Sequence, residues 1–306
     1  MTISKTRKVT FNWTGEEQTA LSNGDRPQYG TVLRDQFAQA FRTLTNEIER
    51  DLWSAAYKGA SRAYGSAGTT PFATAADLSD FAGVRQILDN NGAPQSDLHL
   101  VVGSAAMANL RGKQSVLFKV NEAGTSDFLR MGVLGEVMGL NIHNSYPITT
   151  HTKGTGTGYL LNGALAVGDT TVTVDTGSGT ILAGDIVTFA GTSDKYVVNT
   201  ALASTTFAIG KPGSLAIEAD NDAVTVGNNY TPNVAFHRNA LHLITRAPAM
   251  PIGSDGADDA YMLTDPVSAI SYEITVYRQY RQVTYEIGCA WGVKAVKSDF
   301  IATLIG

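Results

Sequence analysis

The chain has 306 residues, of which 43% are hydrophobic and 17% are charged, and its formal net charge is −5. This length allows one large domain or two smaller ones, each with a sizeable core. The mild negative charge argues against a specific nucleic-acid binder, which is more often basic. The low charged fraction is typical of a surface that is largely covered by other subunits.

Targeting and redox features are few. The single cysteine, Cys289, excludes an internal disulfide and a multi-cysteine metal site, and we expect it to be a small buried side chain in a strand. No apolar run approaches the roughly 20 residues that a membrane helix needs. The basic N-terminus has no apolar segment behind it, so no secretory signal is predicted and a cytoplasmic protein is expected.

The N-terminal third is predicted to contain one long helix. Residues 8–13 alternate as a strand, and a polar, turn-rich loop follows them. From Arg34 to about residue 60, apolar residues recur at steps of three and four, which predicts a helix with one buried stripe. The stripe consists of Phe37, Phe41, Leu44, Ile48, Leu52 and Ala55. A helix of this length is typical of a protein whose role is structural.

Shorter elements follow this helix. Residues 77–89 are predicted to form a second helix with Asp77 as its N-cap. Residues 99–103 favour a short buried strand, and residues 104–110 favour a short helix capped by Ser104.

From about residue 160 to 230 the helical periodicity disappears. Short β-rich segments are separated by turns, which predicts a small barrel or sandwich inserted into a larger domain. These segments are residues 169–175, 185–189, 195–199, 205–209 and 223–226. The preceding Gly-rich residues 153–158 lack the strand and helix of a phosphate-binding loop, so they are interpreted as a flexible linker.

The C-terminal quarter favours strands. Residues 234–246 form a helix or a strand, and residues 268–277 and 282–291 alternate cleanly as two long strands. The predicted fold class is therefore α+β with an inserted all-β segment.

No catalytic, cofactor or metal site is predicted. The chain has neither a Walker-type phosphate-binding loop nor a serine-hydrolase nucleophile motif. None of the five histidines falls in a metal-binding motif; they are His99, His143, His151, His237 and His242. The protein is therefore not expected to be an enzyme.

Two polar segments are candidate subunit contacts. Asp255, Asp258 and Asp259 are predicted to lie in a solvated loop, with Ca²⁺ binding or a contact with a basic segment of a neighbour as alternatives. That basic segment contains Lys5, Arg7 and Lys8.

The second polar segment interleaves tyrosines with Arg278 and Arg281. It is interpreted as a turn whose arginines pair with nearby acidic residues, and stacking on nucleic acid is the alternative.

Six segments, in this order along the chain, resemble the major capsid (coat) proteins of tailed bacteriophages. The resemblance covers most of residues 34–306 and is strongest to the coat-protein family of short-tailed Salmonella-type phages, which has the Hong Kong 97-like fold. The segments are residues 61–73, 91–94, 131–142, 183–190, 235–240 and 290–296.

The resemblance implies a domain assignment. Residues 1–33 would be an N-terminal arm or shortened extended loop, and residues 34–159 would hold the peripheral domain with the spine helix and the first part of the axial domain. Residues 160–230 would be the inserted β domain, and residues 231–306 would complete the axial and peripheral domains. Only about 33 residues precede the helix here, whereas the family usually has a long arm and an extended hairpin, so interlocking with neighbours is expected to differ.

The resemblance also implies the function. The chain would assemble into hexamers and pentamers of an icosahedral head around double-stranded DNA. Assembly would take place in the host cytoplasm, with scaffolding and portal proteins as partners and decoration proteins as an optional further partner. DNA would be contacted non-specifically, and no membrane would be involved. Phe11 and Trp13 are predicted to pack between subunits, since aromatic side chains dominate interfaces.

Two further alternatives stay open at this point. One is an encapsulin-like cellular shell, and the other is a carbohydrate-binding or adhesive protein that uses the β segment.

Overall fold

The computed structural model describes residues 2–23, 28–113, 135–249, 256–265 and 268–306. Two compact units divide the chain. The first unit contains Met1–Leu52 and Leu243–Lys294, and the second unit contains Trp53–His242 and Ala295–Gly306.

Helices and strands both occur in the described residues. The α-helices are α1 (Gly15–Ser22), α2 (Tyr29–Lys58), α3 (Ser79–Asn90) and α4 (Ser104–Lys113). The strands are β1 (Lys5–Thr14), β2 (Arg62–Gly65), β3 (Leu98–Val102), β4 (Glu136–Val137), β5 (Leu140–Asn144), β6 (Tyr159–Leu161), β7 (Thr171–Asp175), β8 (Ile186–Phe189), β9 (Tyr196–Ala203), β10 (Thr206–Ile209), β11 (Ala223–Val226), β12 (Pro232–His237), β13 (Leu241–Arg246), β14 (Asp259–Thr264), β15 (Ser271–Gln279), β16 (Gln282–Ala295) and β17 (Ile301–Ile305).

The first unit is built on a sheet with strand order β1–β16–β15–β14, and β13 also pairs with β16. Strand β1 runs antiparallel to β16 over ten residue pairs, from Lys5 opposite Trp291 to Thr14 opposite Gln282. One face of the sheet is covered by helix α2, and the shared core contains Ala40, Leu44, Ile48, Ile270, Tyr272, Ile287, Cys289 and Trp291. Helix α2 thus confirms the predicted long helix and its apolar stripe.

Two details of helix α2 differ from the prediction. The helix begins at Tyr29 rather than at Arg34, because a helix tolerates a glycine such as Gly30 at a cost of about 1 kcal/mol. Ala40 is buried, whereas Phe37 and Phe41 are only partly buried. Ala40 therefore belongs to the core of the first unit, and the rings of Phe37 and Phe41 pack against that core.

Helix α1 lies where a polar loop was predicted. It begins with a capping box, in which the backbone N–H of Glu17 donates to the Thr14 hydroxyl (3.3 Å) and the Glu17 carboxylate accepts from the Thr14 N–H (2.8 Å). These hydrogen bonds, the one to the Thr14 N–H first, lower the pKa of Glu17. None of the helix residues is buried, so no apolar stripe marked the helix in the sequence.

The second unit is built on a twelve-stranded mixed sheet with the order β10–β7–β6–β11–β8–β9–β2–β17–β12–β3–β5–β4. The pairs β2–β17 and β3–β5 are parallel, and the other pairs are antiparallel. Helices α3 and α4 pack on the half that contains β3, β12 and β17, with Phe81, Val84, Leu88 and Leu110 in the core. Strand β17, which the sequence did not predict, is buried along its whole length.

The start of helix α3 corrects the predicted cap. Its N-cap is Leu78, which makes no side-chain cap hydrogen bond. Asp77 instead accepts hydrogen bonds from the backbone N–H and the hydroxyl of Ser79, both at 2.9 Å. Its carboxylate therefore stabilises the turn that leads into the helix.

Strands β6 to β11 form the predicted β-rich segment. They have a core of their own, which contains Val172, Val174, Val187, Phe189, Val198, Phe207 and Val224. The alternation of buried and exposed residues in β7 and β11 explains why the sequence predicted them. The domain boundaries at residues 160 and 230 stay a prediction.

Candidate subunit-contact surface

An exposed strand, β14, forms one edge of the sheet in the first unit. Among the described residues its strand partner is β15, which it meets from Asp259 opposite Val276 to Thr264 opposite Ser271. All six residues of β14 are exposed. Such an edge presents backbone N–H and C=O groups that another strand can pair with.

The edge strand is apolar at its centre. Tyr261, Met262 and Leu263 are 57%, 66% and 47% exposed. Successive side chains of a strand point to opposite faces, so Met262 lies on one face and the other two lie on the opposite face. Apolar side chains on both faces of an open edge are a site of association unless something covers them.

The predicted acidic loop is only partly a loop. Asp259 is the first residue of β14, and Asp258 accepts a hydrogen bond from the backbone N–H of Arg278. Asp255 lies outside the described residues. Asp258 therefore ties the start of the edge strand to β15, whereas the Asp259 carboxylate accepts a hydrogen bond from the Tyr261 hydroxyl of its own strand. The role of both aspartates as contacts with other subunits stays a prediction.

The predicted arginines lie at the end of β15, which contains Arg278, and in the turn that follows it, which contains Arg281. Arg278, Tyr280 and Arg281 are exposed, and Tyr280 is 86% exposed. Arg281 has a φ of 56°, and its guanidinium lies 5.6 Å from the centroid of the Tyr280 ring. No ion pair of either arginine is observed within the described residues, and their pairing with acidic residues and their role as subunit contacts stay predictions.

The opposite edge of the same sheet is β1, where Trp13 packs inward. Trp13 is 7% exposed, its indole N–H donates to the Gln36 side-chain oxygen (2.7 Å), and its ring meets the Tyr29 ring edge to face at 5.4 Å. Burial, followed by contact with Tyr285, raises the pKa of Tyr29 to about 12. The Trp13 side chain is thus held within its own subunit.

Phe11, on the same strand, belongs to an aromatic cluster. Its ring lies 5.1 Å from the Phe37 ring and 5.5 Å from the Tyr285 ring. That Phe11 and Trp13 also contact other subunits stays a prediction, but their removal would disturb the subunit itself.

The basic residues of β1 are paired within the first unit. Lys5 lies 2.6 Å from Asp51, Arg7 lies 3.0 Å from Glu47, and Lys8 lies 3.0 Å from Glu286. The three basic side chains are 43–66% exposed, so each pair contributes little to stability. Each of these basic side chains is therefore already paired with an acidic side chain of its own subunit.

A buried polar network in the second unit was not predicted from the sequence. Asp185 is 1% exposed, and its carboxylate accepts hydrogen bonds from His151 Nε2 (2.8 Å), the Gly154 N–H (3.1 Å) and the Leu182 N–H (2.7 Å). The Tyr57 hydroxyl lies 3.4 Å from His151 Nδ1.

This network resembles a catalytic triad only in residue types. Burial is the first cause that raises the pKa of Tyr57, and an activated nucleophile needs a lowered pKa or an adjacent base at a reactive, accessible atom. Tyr57 is 5% exposed. The arrangement therefore satisfies buried polar groups rather than activating one.

The network also explains the Gly-rich residues 153–158, which were interpreted as a flexible linker. The Gly154 N–H is bound by Asp185, and the Gly156 N–H donates to the Thr180 carbonyl at 2.8 Å. A Cβ at Gly154 would lie 2.1 Å from the Thr180 oxygen. Close backbone approach therefore requires glycine at this position, and the segment is held in place.

Cys289 is a buried residue of a strand, as the sequence predicted. It is fully buried in the core of the first unit, and burial raises the pKa of its thiol to about 11. Within the described ranges, no three or more His, Cys, Asp or Glu side chains are grouped so that they could hold a metal ion. None of the described helices combines the length and the apolarity that crossing a bilayer requires.

Comparison with known proteins finds similarity in structure but no match to a family model or a curated sequence. No protein-family model matches the sequence, and no curated protein matches it either. A solved chain of Mycobacterium phage Che8 has a similar fold, with a TM-score of 0.50 and 12% identity over 98% of this chain and 70% of that one.

Two further solved structures match over nearly the whole chain. The capsid structure of the cyanophage P-SCSP1u matches with a TM-score of 0.48 and 12% identity over 99% of this chain and 72% of that one. The bacteriophage PhiM1 mature capsid matches with a TM-score of 0.45 and 13% identity over 99% and 71%.

Identity at this level is informative about the fold alone. The predicted resemblance is confirmed to that extent, and the narrower resemblance to the short-tailed Salmonella-type branch stays a prediction. The chain has an α+β fold similar to that of the solved chain of Mycobacterium phage Che8.

Proposed function

We propose that this protein is a major capsid protein that assembles into hexamers and pentamers of an icosahedral phage head enclosing double-stranded DNA. The observation that carries the proposal is the similarity of its fold to the Che8 phage chain over 98% of its length. The work of such a protein is binding, and no catalytic step is part of the proposal.

The surface of the first unit supports assembly. Strand β14 exposes Tyr261, Met262 and Leu263 on an open edge, and the neighbouring turn exposes Tyr280. Because apolar edges lead to association, a second copy of this chain is the occupant that a shell subunit would place there. Repeated head-to-tail contacts between copies form a closed ring when the rotation from one copy to the next is a whole fraction of a full turn.

The domain assignment belongs to this proposal. Residues 1–33 would form an N-terminal arm or a shortened extended loop. Residues 34–159 would form the peripheral domain with the spine helix and the first part of the axial domain, and residues 231–306 would form the remainder of both domains. Residues 160–230 would form the inserted β domain. The separate core of β6 to β11 supports the last assignment.

The partners and the location follow from the same proposal. Scaffolding and portal proteins would contact the shell, with decoration proteins as an optional further partner, and the packaged DNA would be contacted non-specifically. The net charge of −5 agrees with a subunit that encloses DNA without gripping it. The protein would reside in the virion capsid after assembly in the cytoplasm of the host.

Negative-stain electron microscopy of the purified full chain, combined with measurement of its nucleic-acid content, tests the proposal. Uniform polyhedral particles or capsomer rings would support a shell subunit. Particles that hold a protein cargo and no DNA would instead support an encapsulin-like shell. A species that stays monomeric or dimeric with a crowding agent and with a candidate scaffold would contradict both shell functions.

A further inference from the structure

Two histidines of the second unit face each other on its sheet. His99 lies on β3 and His143 lies on β5, and these neighbouring strands run parallel, with His99 opposite Asn141 and Val101 opposite His143. Side chains two residues apart on a strand share a face, so both imidazoles project from the same side of the sheet. The strand register therefore brings together two residues that are 44 positions apart in the chain.

The two rings converge through one nitrogen each. His99 Nδ1 lies 3.0 Å from His143 Nε2, and the ring centroids are 5.2 Å apart. His99 is half-buried beside the Phe236 ring at 5.9 Å, whereas His143 is exposed. His99 is thus partly enclosed by its neighbours, whereas His143 faces solvent.

We propose that His99 and His143 together bind one divalent transition-metal ion, with Cu²⁺ preferred. Imidazole nitrogen is the commonest protein ligand for such ions, and metal–nitrogen bonds are about 2.0–2.1 Å long. Two nitrogens 3.0 Å apart can both reach one ion at that distance. This site is independent of the proposed shell function.

The spacing of the two nitrogens suits a bond angle near 90° at the metal ion. With bonds of about 2.05 Å and a nitrogen separation of 3.0 Å, the angle between the two bonds is ~94°. A tetrahedral angle would need a separation of about 3.3 Å with the same bonds. Angles near 90° suit the tetragonal geometry of Cu²⁺ and Ni²⁺, and Cu²⁺ also binds most strongly among the first-row divalent ions.

A histidine that binds a metal ion must be a neutral imidazole whose coordinating nitrogen carries no proton. When the ion binds, the proton of the N–H···N hydrogen bond moves to the far nitrogen of its own ring, so no proton is released from a neutral pair.

The subunit supplies two ligands, since the described residues hold no group of three. Water completes the coordination, which makes the site weaker than a structural zinc site with four protein ligands.

Isothermal titration calorimetry and electron paramagnetic resonance of the untagged full chain with Cu²⁺ test this site. We expect one Cu²⁺ per subunit and a spectrum with two nitrogen ligands. His143→Ala should weaken binding by more than about tenfold, because even loss of an outer partner of a metal ligand costs 10–100-fold. Titration with Zn²⁺ should give weaker binding than with Cu²⁺.

His242→Ala is the matched control, because His242 is an exposed histidine on β13 whose Nε2 lies near the Asn239 carbonyl rather than near another imidazole. It should leave Cu²⁺ binding unchanged, and circular dichroism should show that both variants are folded. Cys289 is fully buried and the N-terminal amine is present in every variant, so neither accounts for a difference. Equal losses in the two variants, no Cu²⁺ binding by the wild type, or tighter binding of Zn²⁺ would overturn the proposal.

Discussion

The two edges of the sheet in the first unit differ in how many of their side chains are buried or paired within the subunit. At the β1 edge, Trp13 is buried and hydrogen-bonded to Gln36, and the basic side chains are paired. At the β14 edge, all six residues are exposed and the apolar ones have no covering layer among the described residues. The sequence predicted contacts by Phe11 and Trp13 on β1 and by Asp259 at the start of β14. The structure favours β14 as the edge left open for another chain.

Replacement of Phe11 and Trp13 by alanine should have the largest effect. Because Trp13 is buried and Phe11 packs on two rings, we expect the free energy of unfolding to fall by at least about 3–5 kcal/mol. Urea denaturation of unassembled subunits measures this loss. The double variant therefore reports on subunit stability before it reports on assembly.

Trp13→Phe is the control for that variant. It keeps an aromatic ring in the core and removes the hydrogen bond to Gln36, so a loss of about 1 kcal/mol is expected. If the double alanine variant were as stable as the wild type, the β1 edge would not be packed as described.

Replacement of Met262 and Leu263 by lysine should reduce assembly and leave the stability of the subunit almost unchanged. Charged side chains on an edge strand prevent pairing with another chain, so we expect a large loss of particles in size-exclusion chromatography. The free energy of unfolding should change by no more than about 0.5 kcal/mol per exposed site.

Val167→Lys is the matched control, because Val167 is also exposed, at 61%, but lies outside the first unit. It should assemble like the wild type. Normal particles from the β14 variant would contradict the role of this edge.

Replacement of Arg278 and Arg281 by alanine should have a smaller effect on the isolated subunit. Since their guanidinium groups form no ion pair within the described residues, the free energy of unfolding should change by less than about 0.5 kcal/mol. If these arginines contact a neighbour, assembly of the wild type should weaken with added salt, and that dependence should shrink in the variant. A salt dependence identical in both proteins would show that these side chains do not contribute.

A small effect is also expected at the ion pairs of β1. The hydrogen bond to Glu286, and then its charge, raises the pKa of Lys8. A raised lysine pKa stabilises the fold fully below the unfolded value of 10.5, and this contribution is lost as the pH rises through the folded value. Because the pair is exposed, Lys8→Met should cost less than about 1 kcal/mol at pH 7.

The pH dependence of that difference provides the check. Thermal denaturation should show a gap between wild type and Lys8→Met that is constant from pH 7 to about 10 and closes at higher pH. A gap that widens with rising pH would contradict the assignment of the pair.

Local patterns made much of the fold predictable. The stripe of Leu44, Ile48 and Leu52 marked helix α2 because helical spacing repeats every three to four residues. The alternation in β7 and β11 marked the inserted strands in the same way. Helix α1 was missed because it buries nothing, although Thr14 and Glu17 carry a capping signal that could have revealed it.

The functional groups were less predictable, because tertiary structure assembles them. His99 and His143 meet only through the register of β3 with β5, and His151 meets Asp185 across 34 positions of the chain. No spacing in the sequence carries such information. The open edge at β14 was also hidden, since Tyr261, Met262 and Leu263 form an apolar run that does not show whether it is covered.

Sedimentation velocity of the wild-type chain beside the Met262→Lys, Leu263→Lys variant tests the central claim most directly. The account predicts that the wild type sediments as large, uniform particles, whereas the variant sediments as folded subunits of 32.4 kDa. A wild type that remains at the subunit mass, even with a crowding agent and a candidate scaffold, would contradict the proposed shell function. Large particles from both proteins would keep the shell and exclude β14 as its contact.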